Sequence, residues 1–143
     1  MKNLLLIAML LCSFSFAGIS QSHFGAGLVY TNDLGVQARA RINTGSFDVI
    51  PKVSYYFVEN VTALSFDLDA AYNLLYVGDE NPLYLFAGPT YYRASSSGFS
   101  DGNLGINLGT GIEVSHFYGE IRYTGLFCEE CGGDIGFAAG YNF

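Results

Sequence analysis

Charge is scarce in this sequence: 13% of residues are Asp, Glu, Lys or Arg, where a soluble domain carries about 25%. Basic residues are scarcer still, with six Lys and Arg against thirteen Asp and Glu, a balance that argues against a nucleic-acid partner. After residue 17 no apolar run approaches the roughly 20 residues that a membrane-spanning helix needs. With two histidines and three cysteines, there is little material for a metal centre or a nucleophile–base pair. Aromatic residues (16%) and glycine (18 of 143 residues) are plentiful instead.

The opening "MKNLLLIAMLLCSFSFAG" has Lys2, an apolar run from Leu4 to Leu11, and the small residues Ser15 and Ala17 before Gly18. This is the anatomy of a secretory signal peptide. Leu11 stands where a lipobox has a small residue, so Cys12 is expected to leave with the peptide. Residues 1–17 are therefore assigned to a signal peptide and 18–143 to one domain. Without Lys2 the mature chain has five bases against thirteen acids, a formal charge of −8. An exported, apolar, glycine-rich chain with no helical span poses the question of a membrane β-barrel, whose apolar residues are spread thinly over alternating strands.

Read at period two, the mature chain divides into eight segments: 23–30, 34–42, 46–58, 61–76, 83–93, 104–115, 117–127 and 135–143. The second is the plainest, with Leu34, Val36, Ala38, Ala40 and Ile42 alternating against Gly35, Gln37, Arg39 and Arg41. Such alternation predicts strands with one apolar and one polar face. Pro51 has no ladder donor, which predicts a bulge or irregularity in the third segment. The fifth segment is apolar on both faces and leaves its orientation open. The expected fold is all-β: an eight-stranded antiparallel up-and-down transmembrane β-barrel following the signal peptide.

The strand-interior charges all obey one parity. Arg39, Arg41, Asp48, Lys52, Asp67, Asp69, Glu113, Glu120 and Arg122 each lie opposite the apolar set of their own segment. A soluble sheet with a wet and a dry face would alternate in the same way. The charged face here is rich in glycine, as a crowded lumen requires, and its five acids nearly balance its four bases. An eight-stranded barrel has a bore that side chains can fill, so these nine groups are expected to form a salt-bridge network that plugs the lumen. Unpaired, they would each cost several kcal/mol.

With a periplasmic N-terminus, "NTG", "GDEN" and "SH" become periplasmic turns, while "TND", "EN", "SSSGFSDG" and "CEECGGD" face outward. Aromatics then gather at two rims: Tyr30, Tyr55, Phe57, Tyr91 and Tyr123 outside, and Phe47, Tyr76, Phe117, Tyr141 and Phe143 inside. Girdles of this kind suit headgroup depth.

The closing "IGFAAGYNF", with Tyr141 and Phe143 in alternation back to Ile135, resembles the C-terminal signal of outer-membrane β-barrels. With "NLGTGIEV" and "FYGEIRYTG", which resemble the penultimate hairpin of small outer-membrane proteins, it marks a resemblance to the eight-stranded family of OmpX and the OmpA transmembrane domain. That resemblance implies a Gram-negative outer-membrane location, contact with lipid and lipopolysaccharide, and a monomer whose Tyr141 and Phe143 serve the barrel assembly machinery as an insertion signal. The short outward loops depart from the family's usual long ones.

"CEEC" is the one sharp motif. A redox-active pair needs a feature that lowers a thiol pKa, whereas Glu129 and Glu130 would raise it. Two thiolates fall short of a closed zinc site. In an oxidising compartment a local Cys128–Cys131 disulfide is the expected state. The outward acids Glu59, Asp101, Glu129, Glu130 and Asp134 could hold divalent cations against lipopolysaccharide, but show no ligand spacing and read as a solvated rim. His23 and His116 fall at periplasmic ends, and Tyr118 stands where a deacylase-like His-x-Ser would need its serine, so no catalytic residues are assigned. The "GTG" at 109–111 lies within a strand and is no phosphate loop. No cofactor or metal is expected. The alternative is a soluble exported barrel, lipocalin-like, which predicts an apolar lumen that binds a small apolar ligand. A lipid-modifying enzyme is the remaining alternative.

Overall fold

A computed structural model describes residues 22–78, 80–128 and 131–143; the expected signal peptide, Cys12, Glu129 and Glu130 lie outside the described residues. Eight strands follow in chain order: β1 (Ser22–Tyr30), β2 (Leu34–Asn43), β3 (Asp48–Val58), β4 (Val61–Val77), β5 (Asn81–Ser96), β6 (Phe99–Val114), β7 (Phe117–Leu126) and β8 (Gly133–Asn142). Each pairs antiparallel with the next and β8 closes on β1, giving a closed up-and-down barrel. Closure leaves no free sheet edge.

The period-two pattern becomes the wall of the barrel. In β2 and β3, Gln37, Arg39, Arg41, Asp48, Lys52 and Ser54 are buried in the lumen, while Val36, Val53, Tyr55 and Phe57 are exposed on the outside. The orientation left open for β5 is settled: Tyr84, Phe86 and Thr90 point inward and Leu85 and Tyr91 outward. Inward apolar residues form two clusters, Val29, Tyr56, Ala63, Tyr118 and Ala138 in one, and Ile50, Ala71, Tyr84 and Phe86 in the other.

The bulge or irregularity expected at Pro51 is an interrupted ladder and no bulge: Arg39 faces Lys52 and Ile42 faces Val49 in one register, with the pairs between them missing. A residue without an N–H interrupts a ladder without having to shift it. The register shift lies on β4, between Asn73 and Leu75 opposite β5. The stretch "SSSGFSDG" is not a loop either. Ser95 pairs with Ser100 and Ser96 with Phe99, and residues 97–98 make a two-residue turn in which Gly98 has a φ of 95°. Glycine takes that conformation at no steric cost, so β5 and β6 run on to a hairpin tip.

The β1–β2, β3–β4, β5–β6 and β7–β8 connections lie at one end of the barrel, and the β2–β3, β4–β5 and β6–β7 connections lie at the other with Ser22 and Phe143.

Candidate functional site

The lumen is held together by charge. Strands β3 and β7 stand four apart in a ring of eight, so they face each other across the bore. Lys52 Nζ on β3 reaches Glu120 Oε2 on β7 at 2.7 Å, and lies 3.0 Å from Asp69 Oδ2 on β4. Arg39 on β2 donates to Glu120 Oε1 at 2.8 Å and pairs with Glu113. Arg41 pairs with Glu113 at 3.0 Å, and its Nε donates to Asp48 at 2.7 Å. Nearer the end away from the termini, Arg122 Nη1 lies 3.1 Å from Asp67 Oδ2.

The nine parity-matched residues are thus brought together in two groups. Arg39, Arg41, Lys52, Asp48, Asp69, Glu113 and Glu120 make one lattice, with three bases and four acids, and Arg122 with Asp67 makes a balanced pair. Charges taken from water need mutual compensation and hydrogen bonds on their remaining atoms. Neutral groups supply those bonds. The Tyr84 hydroxyl donates to Glu120 at 2.8 Å and accepts from Arg39 at 3.1 Å. Asn142 accepts from Arg39, Asn73 from Arg41, and Tyr56 from Arg122. Aromatic faces cover the cations, with Arg39 over Tyr118 at 3.6 Å, Lys52 over Phe86 at 4.0 Å and Arg41 over Tyr84 at 4.5 Å.

These neutral partners escaped a search for charge alone. Parity marks Tyr56, Tyr118 and Asn142 as inward. It could not mark Tyr84 or Phe86, whose strand is apolar on both sides. Glycine makes room for the rings: a Cβ on Gly111 would stand 2.5 Å from Tyr84 Cζ, and one on Gly140 2.6 Å from Tyr118 Cε1.

The exterior inverts the usual soluble arrangement. Leu28, Leu68, Leu104, Leu108, Ile121 and Phe137 are exposed, as are all ten residues expected in the aromatic rims. Apolar patches on soluble monomers rarely exceed a few hundred Å²; here the apolar surface runs round the wall. Thr110, on this outer face, turns its hydroxyl to the Tyr84 carbonyl oxygen at 3.0 Å. A soluble ligand-binding barrel needs the opposite arrangement, with its charges outside.

A closed barrel with such an exterior meets the requirement that every backbone polar group be satisfied within lipid, and its strand count and apolar belt are those of outer-membrane barrels. The fold is that of the small outer-membrane β-barrels. The structure is similar to Ail, the attachment invasion locus protein of Yersinia pestis, in complex with the heparin analogue sucrose octasulfate, at 16% identity and a TM-score of 0.51, over 85% of this chain and 97% of that one. It is similar also to Neisserial surface protein A (NspA), at 15% identity and a TM-score of 0.50, over 85% of this chain and 96% of that one. At these identities the likeness speaks for the fold. Neither a protein-family model nor a curated protein matches the chain.

The remaining candidates take their places at the two ends. Cys128 and Cys131 form a disulfide with a Cα–Cα distance of 5.1 Å, in the loop between β7 and β8. Of the outward acids, Asp101 binds its own strand through Gly102 N and Asn103 Nδ2, and Asp134 lines the mouth of the lumen. Among the described residues no group of three or more His, Cys, Asp or Glu is placed to hold a metal ion. His23 lies beside Arg41 and Glu113 at the terminal end, and His116 is in the turn between β6 and β7, its ring 5.4 Å from that of Tyr141. Tyr141 also packs edge-on against Phe117 and Phe143. The Phe143 N–H donates to the Phe24 carbonyl oxygen at 2.7 Å.

Proposed function

We propose that this chain is an integral monomeric protein of the Gram-negative outer membrane whose lumen is closed by its own ion pairs, and that its role at the envelope is structural or binding, without turnover chemistry. The observation that carries the reading is the Arg39–Glu120–Lys52 bridge across the bore. A bore occupied by paired charges and the rings of Tyr84, Phe86 and Tyr118 is expected to be closed to steady diffusion. Contact is then made at the surfaces, with lipid and lipopolysaccharide along the apolar wall and rims. We assign Tyr141 and Phe143 to recognition by the barrel assembly machinery, in keeping with their exposed aromatic cluster at the terminal end. His23 and His116 sit at that same end, away from the outward leaflet where a lipid-modifying enzyme meets its substrate.

The test is conductance. Folded protein reconstituted in a planar bilayer is expected to give no steady current, whereas Lys52→Ala with Glu120→Ala, which empties the middle of the bore, is expected to give discrete steps. Steady current through the wild type would overturn the closed-lumen reading.

A further inference from the structure

At the end away from the termini the lumen opens into a cavity of about 180 Å³ lined by Asp33, Tyr56, Ser65, Asp67, Tyr92, Arg122 and Asp134, among others. Arg122 and Asp67 compensate each other on its inner side. Among the described residues neither Asp33 nor Asp134 has an ion-pair partner, so two carboxylates stand uncompensated at one mouth. Acidic groups at a rim are commonly solvated and nothing more. Here a second feature points inward: Ser65 is 4% exposed, lines the cavity, and its hydroxyl has no hydrogen-bond partner. A buried hydroxyl without a partner carries a desolvation cost that a ligand or water at that spot removes.

The arrangement selects a class of ligand. A hard divalent cation requires six or more oxygens closing to about 2.3–2.6 Å, and the described acids do not converge in that way. Two carboxylates at one mouth suit instead an ammonium, which carries its three donors on a compact head. Tyr56 and Tyr92, with ring centroids 6.2 Å apart, offer aromatic surface to an alkyl stem and π-faces to a cation. At about 180 Å³ the cavity lies below the roughly 300–1,000 Å³ of pockets that take drug-sized ligands, which favours a small one. We propose that this vestibule binds a small aliphatic diamine, one ammonium held by Asp33 and Asp134, the stem against Tyr56 and Tyr92, and the second ammonium donating to Ser65 Oγ.

The inference rests on the outer-membrane barrel reading, and its test separates the two. Full-length barrel, checked as folded by its heat-modifiable band, is titrated calorimetrically with putrescine at constant ionic strength. Saturable binding is expected, weakened about tenfold in Asp33→Asn/Asp134→Asn, on the scale of two partly exposed ion pairs. Asp101→Asn, outside the cavity, is expected to leave it unchanged. Putrescine should bind more tightly than butylamine, and Ser65→Ala should erase that difference. Tyr92→Leu, which leaves every charge in place, should weaken binding several-fold and stands in if the double variant fails to fold. A folded wild type with no saturable heat, equal affinity in the double variant, or equal competition by magnesium chloride at matched ionic strength would overturn the proposal. A chain that yields no heat-modifiable band would instead overturn the barrel reading.

Discussion

Arg39 is the most connected cation of the lumen, with Glu113, Glu120, Tyr84 and Asn142 as polar partners and the Tyr118 ring beneath it. The larger lattice has three bases and four acids, so losing this guanidinium leaves two bases against four acids in a closed space. Arg39→Met is therefore expected to cost about 3–5 kcal/mol, the penalty of breaking a buried ion pair from one side. Glu113→Gln removes the excess acid at a site whose side chain is 13% exposed, and the expected cost is about 1 kcal/mol, near that of a single hydrogen bond. Urea unfolding of both variants in phospholipid vesicles distinguishes this ranking from one in which every lumen charge counts alike. The charges of this network were legible residue by residue, because the chemistry of Lys, Arg, Asp and Glu at one parity admits few other readings. Its hydroxyls and amides were not, since a tyrosine at an inward position is equally at home in an apolar core.

For the single strand, parity decides which medium a side chain meets. Leu68 on β4 is 53% exposed on the outer wall, between the inward, buried Asp67 and Asp69. Leu68→Arg is expected to destabilise the barrel by about 2–4 kcal/mol if the outer wall meets hydrocarbon, the cost of a cation near the bilayer midplane. A change within about 0.5 kcal/mol, as at ordinary surface sites, would mean that water covers this face. Strand β5 shows where pattern fails: Leu83, Leu85 and Ala87 on one side and Tyr84 and Phe86 on the other are all apolar. Its neighbours orient it, because β4 and β6 have each committed a face to the lumen and the ladder fixes Tyr84 opposite Asn73 and Gly111. The β5–β6 hairpin makes the same point about length. Ser, Gly and Asp signal a loop by composition, but two strands already in register go on pairing until a turn residue such as Gly98 ends them.

The whole molecule depends on closing β8 against β1 and on reaching a membrane. Phe143 contributes the last hydrogen bond of that seam, to Phe24, and the last ring of the terminal aromatic cluster. A chain lacking Phe143 is expected to lose most of the compact, SDS-resistant band that unboiled wild type shows in isolated outer membranes. If the deletion leaves that band at wild-type intensity, Phe143 is no insertion signal, and recovery of the wild type in the soluble periplasmic fraction would refute the membrane reading itself.

By itself the sequence determined the number of strands, their antiparallel order, which face of seven of them is apolar, and therefore which surface is dry. These are consequences of period two and of short turns, both local in the chain. Only the tertiary structure decided which charges meet. Lys52 and Glu120 are 68 residues apart and come together because ring closure sets β3 opposite β7. The same closure orients β5, carries the register through Pro51, and gathers Asp33, Ser65, Tyr92 and Asp134 from four parts of the chain around one cavity. No local pattern encodes those meetings, because they depend on the stagger of all eight strands at once.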